Sequence, residues 1–335
     1  MVFETVRGII ASQLNIDEER IELDTNLMKD LENKLRAAIV QGSPVLFDKK
    51  ATTEKCVEYI REAGKEGAEL IVFPESFIPC YPLGMTFGFT IGQREESGRQ
   101  DWKVYYDNSV VVPGEETQLL GEAAKEAGAY VSIGITERDD TNCSLYCTNL
   151  IFSPQGEIVA HHRKIKPTGA ERFIWADGHD SDKHFPITDT KWGKMGTLIC
   201  WENYMPLARV ALYERGVALY LAPNTNNNSE WHDTIKHIAI EGHCYVFHAN
   251  PYVTKDMYPE GFHCPEEYAK LPEVPLTGGS CIVDPYGHYV DEPVWEKETI
   301  IYADIDPNEV ARSRMEFDAC GHYSRPDLLE LKIND

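Results

Sequence analysis

Residues 195–206 read Met-Gly-Thr-Leu-Ile-Cys-Trp-Glu-Asn-Tyr-Met-Pro, and they join an apolar strand to a turn. The strand predicted for residues 195–199 ends at Cys200, and a helix is predicted for residues 206–215. Such a corner places a side chain at the rim of a sheet, where the following backbone N–H groups favour a thiolate and can bind an oxyanion. Cys200 is therefore a candidate nucleophile, and the alternative is the inert core thiol that most buried cysteines are.

Two other apolar strands end close to an ionisable side chain. Glu75 follows the apolar run at residues 68–73, and Lys164 lies just past the strand predicted for residues 158–161. A thiol nucleophile needs a base or a cationic neighbour to become reactive. We therefore expect Glu75, Lys164 and Cys200 to converge, although Glu75 taken alone reads as a solvated loop acid.

Strands and helices alternate along the chain from residue 35 onward, which is typical of an α/β protein. The turn signals Pro154-Gln155-Gly156 and Asp284-Pro285-Tyr286-Gly287 each predict a hairpin, so the sheet structure is not expected to be purely parallel. Residues 254–277 are rich in Pro, Glu and Tyr, and they are predicted to form a long loop.

The sequence of 335 residues carries 32 Lys and Arg against 55 Asp and Glu, a formal net charge of −23. An acidic surface repels phosphate backbones and anionic lipid head groups, so we expect neither nucleic acid nor a membrane as a partner. No apolar run approaches the roughly 20 residues of a membrane span, and no signal peptide is expected. The nine cysteines are sparse and odd in number, which favours reduced thiols and a cytoplasmic location.

The spacing of Cys143 and Cys147 could suit a metal ion, with His161 or His162 as a further ligand. No second pair of ligands follows at the spacing of a zinc finger. We therefore expect two ordinary strand or loop thiols at these positions, and no metal site.

Five stretches of the chain resemble the nitrilase superfamily and, within it, the nitrilase branch. They are residues 73–79 (Phe-Pro-Glu-Ser-Phe-Ile-Pro), 162–168 (His-Arg-Lys-Ile-Lys-Pro-Thr), 198–206 (Leu-Ile-Cys-Trp-Glu-Asn-Tyr-Met-Pro), 237–242 (His-Ile-Ala-Ile-Glu-Gly) and 321–326 (Gly-His-Tyr-Ser-Arg-Pro). The resemblance extends from residue 34 to about residue 331, and three of the stretches carry catalytic signatures in the family's order. The Cys-Trp-Glu sequence favours nitriles over the substrates of most amidase branches.

The resemblance implies a role for four residues. Glu75 corresponds to the general base, Lys164 to the cationic stabiliser and Cys200 to the nucleophile, while Glu171 corresponds to the family's second glutamate. It also implies a four-layer αββα sandwich that assembles into homo-oligomers, either dimers or longer spirals. The reaction implied is hydrolysis of a nitrile to a carboxylic acid and ammonia, which needs no metal and no organic cofactor.

The segment after the next strand departs from the family's pattern. Nitrilases commonly read Ala-Pro-Thr-Trp-Asp there, whereas this chain has Asn224 and Thr225 in an amide-rich segment. We predict Tyr81, Trp201, Asn224 and Thr225 as substrate-binding residues. The alternatives are a surface turn for the amide-rich segment and plain core packing for the two aromatic side chains.

Residues 1–31 resemble the opening of an acyl carrier protein, with a first helix and an acidic loop, but the Asp-Ser-Leu tripeptide that would carry phosphopantetheine is absent. We predict a leader without carrier function at residues 1–31, a hydrolase domain at residues 32–320 and a C-terminal tail at residues 321–335. The alternative is an amphipathic N-terminal helix that packs on the main domain.

Three functions remain open from the sequence. The first is a nitrilase that acts on a small-molecule nitrile. The second is an amidase, or a cyanide or nitrile hydratase, that uses the same residues, because a tetrahedral intermediate can also collapse to the amide. The third is a catalytically silent, acidic interaction scaffold.

Overall fold

Two β-sheets form the centre of the computed structural model, which describes residues 34–178 and 184–334. The strands are β1 (Leu35–Gln41), β2 (Leu70–Val72), β3 (Phe89–Thr90), β4 (Gln93–Arg94), β5 (Tyr130–Arg138), β6 (Leu145–Phe152), β7 (Ile158–Arg163), β8 (Ile187–Thr190), β9 (Gly193–Thr197), β10 (Val217–Pro223), β11 (Tyr245–Ala249), β12 (Tyr252–Val253), β13 (Leu276–Val283), β14 (Val294–Trp295) and β15 (Thr299–Ile305). The helices are α1 (Lys49–Lys65), α2 (Glu96–Asp107), α3 (Glu115–Ala127), α4 (Pro206–Glu214), α5 (Glu230–Gly242), α6 (Pro265–Ala269) and α7 (Asn308–Ser313).

Both large sheets mix parallel and antiparallel pairs. The first has the strand order β15-β1-β2-β5-β6-β7, in which β1, β2 and β5 are parallel neighbours. The second has the order β12-β13-β11-β10-β9-β8, in which β9, β10 and β11 are parallel and β14 pairs with β13. The hairpin predicted at Pro154-Gln155-Gly156 joins β6 to β7, so the expectation of sheets that are not purely parallel is confirmed.

The strands are apolar on both faces because the two sheets pack together and each is also covered by helices. In β1, Ala37 and Ile39 face the other sheet, where they share a core with Leu221 of β10. The alternate residues Ala38 and Val40 face the helix layer. Successive side chains of a strand point to opposite faces, so burial on both faces gives the continuous apolar run seen in the sequence.

The outer layers are four helices. Helices α1 and α3 cover the first sheet, and α4 and α5 cover the second. Gly64 lets α1 approach α3 closely, because a Cβ at this position would lie only 2.7 Å from the Cβ of Ala127. The order of layers is helix, sheet, sheet, helix, so the predicted αββα sandwich is confirmed.

One longer helix and several short elements were not expected from the sequence. Helix α2 has a buried face made of Gly98, Asp101 and Tyr105, which gives no apolar periodicity to recognise. Strands β3 and β4 have only two residues each. The segment 254–277, predicted as a loop, contains a 3₁₀ turn at Lys255–Met257 and helix α6.

The acyl-carrier-like segment at residues 1–31 lies outside the described residues, so its interpretation stays a prediction. Residues 321–334 form turns and extended chain, and most of them are exposed. Within the described ranges, no helix is long and apolar enough to cross a membrane.

Candidate active site

The ammonium group of Lys164 is buried between two carboxylates. Its Nζ lies 2.7 Å from Oε1 of Glu75 and 2.8 Å from Oε2 of Glu171, and the side chain of Lys164 has no exposed surface. Glu75 lies three residues beyond the end of β2, Lys164 directly follows β7, and Glu171 belongs to a 3₁₀ turn at Gly169–Phe173. Three residues predicted from the sequence therefore meet at one edge of the first sheet.

Burial and the neighbouring charges shift the pKa values of Lys164 and Glu75. Burial acts to lower the pKa of Lys164, but Glu75, Glu171 and the neighbouring thiols together outweigh it and raise the pKa well above its usual value. Burial raises the pKa of Glu75 to about 7, against the opposing attraction of Lys164. Lys164 therefore stays charged at neutral pH, whereas the Glu75 carboxyl can gain or lose a proton there.

The two carboxylate oxygens of Glu75 differ in their hydrogen bonds. Oε1 accepts hydrogen bonds from Lys164 and from the thiol of Cys147, whose Sγ lies 3.5 Å away. The other oxygen, Oε2, is buried and has no hydrogen-bond partner among the described residues. A buried carboxylate oxygen without a partner can accept a proton from a reacting group.

Cys200 opens a 3₁₀ turn at Cys200–Tyr204 with a backbone φ of +50°. Few residues other than glycine adopt this left-handed conformation, and the surrounding structure must hold it. The side chain of Asn203 does so, because its Nδ2 donates to the carbonyl oxygens of Leu198 at 3.0 Å and of Cys200 at 2.7 Å. The amide oxygen of Asn203 in turn accepts the hydroxyl of Tyr220 at 2.7 Å.

The sequence predicted that backbone N–H groups would favour a thiolate at Cys200, but the pKa of this thiol is raised. Burial and the nearby Glu75 carboxylate raise the pKa of the thiol well above its usual value, although Lys164 and a backbone hydrogen bond from Thr225 act to lower it. The backbone donors expected to favour a thiolate are therefore outweighed by desolvation. We therefore expect Cys200 to rest as a neutral thiol, which would have to lose its proton to act as a nucleophile.

Glu202 joins the Cys200 turn to the strand end that carries Lys164. Its carboxylate accepts the backbone N–H of Ile199 and that of Ile165, each at 2.6 Å, and Nε2 of His162 at 2.9 Å. Burial acts to raise the pKa of Glu202, but His162 and these hydrogen bonds outweigh it and lower the pKa. Sequence reasoning missed this role, although the acid in Cys-Trp-Glu and the histidine two residues before Lys164 were available as signals.

Two of the predicted binding residues reach this group. The Tyr81 hydroxyl donates to Oε1 of Glu171 at 2.8 Å, and its ring packs edge-on against Trp175. The Thr225 hydroxyl donates to the backbone oxygen of Glu75 at 3.5 Å. Tyr81 and Thr225 therefore contact Glu171 and Glu75, and their role in binding a substrate stays a prediction.

The other two predicted binding residues differ from each other. The Asn224 side chain is fully buried, and neither atom of its amide has a hydrogen-bond partner among the described residues. The Trp201 side chain is instead 46% exposed and packs edge-on against Tyr204. The role of Trp201 in binding a substrate therefore stays a prediction.

The amide-rich segment is not a free surface turn. Asn226 receives a hydrogen bond from the side chain of Asn250 and donates its backbone N–H to the same residue. Asn227 contacts the backbone of Pro275 and accepts the backbone N–H of Thr277. These amides fix the segment to the neighbouring chain.

Three of the four side chains weighed as metal ligands have other partners, and one of these is His162, which is paired with Glu202. Cys143 is exposed, Cys147 contacts Glu75, and His161 is paired with Glu137 at 2.8 Å. Within residues 34–178 and 184–334, no group of three or more His, Cys, Asp or Glu side chains has the arrangement of a metal site.

Lys164, Glu75 and Cys200 are buried together and have strongly shifted pKa values, which is more typical of an enzyme than of a binding scaffold. The chain belongs to the carbon-nitrogen hydrolase family, whose model matches residues 36–315. The enzyme is therefore a hydrolase that acts on carbon–nitrogen bonds, as the resemblance to the nitrilase superfamily predicted.

Relatives of known name cover nearly the whole chain. An aliphatic nitrilase from Sinorhizobium fredii (strain HH103) is 46% identical over 303 residues, which are 90% of this chain and 96% of the relative. Nitrilase 2 of Arabidopsis thaliana is 43% identical over 305 residues, or 90% and 89% of the two chains. A bifunctional nitrilase/nitrile hydratase of Nicotiana tabacum is 41% identical over 308 residues, or 90% and 86%.

Solved structures share the fold. Nit3 of Saccharomyces cerevisiae, described as a member of branch 10 of the nitrilase superfamily, has a TM-score of 0.68 and 25% identity, over 87% of this chain and 96% of that chain. The C. elegans NitFhit protein also has a TM-score of 0.68, at 21% identity, over 89% of this chain and 66% of that chain.

The raised pKa of Glu75 predicts how the activity depends on pH. If Glu75 accepts the proton of Cys200, it must first be ionised, so kcat/KM for an uncharged substrate should rise as pH increases through about 7. The measurement is kcat/KM between about pH 5.5 and 8.5, with circular dichroism as the control for folding. A constant kcat/KM across this range in a folded protein would contradict the prediction.

Proposed function

We propose that the protein is a nitrilase, which converts an organic nitrile and two water molecules to the carboxylic acid and ammonia through covalent intermediates on Cys200. The observation that carries this proposal is the Lys164 ammonium buried between Glu75 and Glu171, beside a buried thiol. Relatives named nitrilases, at 39–46% identity over about 90% of the chain, support the choice of substrate class.

In the first step, Sγ of Cys200 attacks the nitrile carbon. The thiol proton passes to the unpartnered Oε2 of Glu75 and then to the nitrile nitrogen, so that the S–H bond adds across the C≡N bond and a thioimidate forms. Because the pKa of Cys200 is raised, proton transfer accompanies the attack and no resting thiolate is needed.

In the second step, Glu75 takes a proton from water, whose oxygen adds to the thioimidate carbon and gives a tetrahedral intermediate. The C–N bond breaks, ammonia leaves with the proton it has gained, and a thioester remains. A second water, again deprotonated by Glu75, cleaves the thioester, which releases the acid and returns the proton to the sulfur of Cys200.

Negative charge develops on the substrate in each step. Lys164 stays protonated between two carboxylates and can stabilise this charge without gaining or losing a proton. The backbone N–H of Trp201 lies in the first turn after Cys200, where N–H groups lack partners within the turn. We propose these two donors as the stabilisers of the intermediates.

Release of the amide is the second candidate outcome. The tetrahedral intermediate can expel the thiol in place of ammonia, and the tobacco relative is named for both activities. A silent scaffold is disfavoured, because burying three charged groups and a strained cysteine costs free energy that a binding surface does not require.

We also propose a cellular location and an oligomeric state for the protein. The cysteines are free, which suits a reducing cytoplasm. Leu207 and Tyr204, near the Cys200 turn, are exposed apolar side chains, which is consistent with homo-oligomers such as dimers or spirals. Sedimentation should then give at least twice the monomer mass of 38.0 kDa, and a monomer at micromolar concentration would contradict the oligomer.

The proposed function is tested by ammonia release from a panel of aliphatic, aryl and arylacetic nitriles, simple amides and cyanide. We expect release from at least one organic nitrile, together with its acid. Turnover of amides or cyanide alone would overturn the assignment as a nitrilase.

Removing the nucleophile or the cation should abolish this turnover. Cys200→Ala leaves no atom to form the thioimidate, and Lys164→Ala leaves no cation beside two buried carboxylates, so kcat should fall by about a thousandfold or more in each. The control is Cys56→Ala, which removes another buried thiol in a different hydrophobic cluster from Cys200 and should keep the activity. A folded Cys200→Ala protein that retains a tenth of the wild-type kcat would rule out the nucleophile.

Glu171 should influence which product leaves. Its carboxylate binds Lys164 and Tyr81 beside the reacting centre, where it helps to keep a departing nitrogen protonated. We expect Glu171→Gln to lower acid production and to shift the remaining flux toward amide, because about 1.4 kcal/mol between the two exits changes their ratio tenfold. Chromatography of amide and acid measures the ratio, and an unchanged ratio at an unchanged rate would exclude Glu171 from the chemistry.

We propose that residues 1–31 are a leader without a catalytic role, because the segment resembles another family and lacks its functional serine. Deletion of these residues should leave kcat and KM within about twofold of the full chain. An inactive or insoluble truncated protein would show that the segment is a structural part of the hydrolase domain.

A further inference from the structure

A cavity of about 230 Å³ opens beside the catalytic group. Tyr81 and Glu171 belong both to this cavity and to the hydrogen-bonded group around Lys164. Its remaining lining comes from two short segments, residues 82–86 and residues 170–175. The cavity therefore adjoins the hydrogen-bonded group around Lys164 on the side of Tyr81 and Glu171.

The lining offers few polar partners to a ligand. The carboxylate of Glu171 and the hydroxyl of Tyr81 are already bonded to each other, and Glu171 is also bonded to Lys164. The hydroxyl of Thr86 is bonded to Glu267, which lies outside the cavity. Leu83, Met85 and Ile174 supply apolar surface in the same hydrophobic cluster that contains Cys200. A ligand with an apolar tail suits this lining.

The wall made by residues 82–86 is held by a distant carboxylate. Glu267 lies on α6, about 180 residues further along the chain, and it accepts the backbone N–H groups of Thr86 at 2.8 Å, Phe87 at 3.0 Å and Gly88 at 2.9 Å. The Thr86 hydroxyl donates to the same carboxylate at 2.8 Å. Three successive N–H groups that point at one anion form a binding concavity of the backbone.

The two residues that directly follow the wall need such an anchor. Phe87 has a φ of +52° and Gly88 a φ of +66°, and the left-handed conformation is strained at a residue with a side chain. The wall is also fixed from beneath, because a Cβ on Gly98 of α2 would overlap the carbonyl of Phe87. The wall therefore has one defined shape as long as Glu267 accepts its N–H groups.

Helix α6 is itself anchored to α2. The buried carboxylate of Asp101 accepts the backbone N–H groups of His263 and Cys264, each at 2.8 Å, just before α6 begins. The Tyr258 hydroxyl donates to the carbonyl oxygen of Leu83 in the wall at 2.9 Å. Because α6 is fixed to α2, the bonds of Glu267 also fix the cavity wall.

We propose that this cavity receives the apolar tail of the nitrile, and that Glu267 is a positioning residue that sets the shape of the cavity and so the preference for nitriles with such a tail. The inference rests on the proposed function. An apolar cavity of about 150 Å³ can admit benzene, so a cavity of about 230 Å³ accommodates an aryl ring or an alkyl chain of about five carbons.

The test compares propionitrile, hexanenitrile and 3-phenylpropionitrile as substrates of the wild type and of Glu267→Gln. The amide keeps the size of the side chain but removes the negative charge and one of two acceptors. We expect KM for the two longer nitriles to rise about tenfold, while kcat and all values for propionitrile change less than about threefold. Glu266→Gln, which alters an exposed neighbour on α6, is the matched control and should leave all three substrates unchanged.

Several results would overturn the inference. One is a wild type that prefers propionitrile to both longer nitriles, and another is a folded Glu267→Gln protein that loses activity equally on all three. If Glu267→Gln does not fold, Ile174→Trp replaces it, since the larger ring fills the cavity and should lower the ratio of hexanenitrile to propionitrile turnover by about tenfold. An unchanged ratio in this variant would also contradict the tail site.

Failure of the proposed function can be separated from failure of this inference. A wild type that releases no ammonia from any nitrile refutes the nitrilase, and the cavity is then tested by binding alone. Propylbenzene should bind the wild-type protein and should bind Ile174→Trp at least about tenfold more weakly, as measured by calorimetry. Equal affinity for both proteins would refute the tail site whatever the reaction.

Discussion

The buried ammonium of Lys164 is the constraint on which the site depends. An isolated charge in a protein interior is too costly to persist, so Lys164 requires partners that are equally fixed. Glu75 and Glu171 supply them, at 2.7 and 2.8 Å. Because these three residues come from the end of β2, the end of β7 and a 3₁₀ turn, satisfying one charge fixes three segments of chain around the thiol of Cys200.

Glu75, Glu171 and Lys164 comprise two carboxyl groups and one ammonium group. This imbalance explains which of the three exchanges a proton near neutral pH. One ammonium cannot neutralise two ionised carboxylates, and burial makes the second negative charge expensive. The pKa of Glu75 accordingly rises to about 7, while Lys164 keeps its proton. The mobile proton near neutral pH is thus on the carboxyl with a free oxygen, beside a thiol that rests uncharged, which is the distribution that attack on a neutral nitrile requires.

The sequence predicted those features that are local to one strand end. Glu75, Lys164 and Cys200 each follow an apolar run, and ends of strands meet at sheet edges, so their convergence was accessible, whereas Glu171 was found only through the family resemblance. The bonds of Glu202 to Ile165 and of Glu267 to Thr86 join residues 37 and 181 positions apart, and no periodicity reveals them. Trp201 stays a prediction as a binding residue, because adjacency to Cys200 does not determine which way a turn directs a side chain.

The carboxylates of Glu202 and Glu267 stabilise different parts of the structure. Glu202 is buried and ties the Cys200 turn to the strand end of Lys164, so a change there disturbs the reacting atoms themselves. Glu267 is partly exposed, lies on a short helix between β12 and β13, and holds only the wall that faces the substrate tail. No bond of Glu267 reaches Glu75, Lys164 or Cys200 among the described residues, so we expect a change at Glu267 to alter the wall and to leave the bonds of the charged group in place. We infer that the residues that determine which nitrile tail is accepted are separate from those that hold the buried charges.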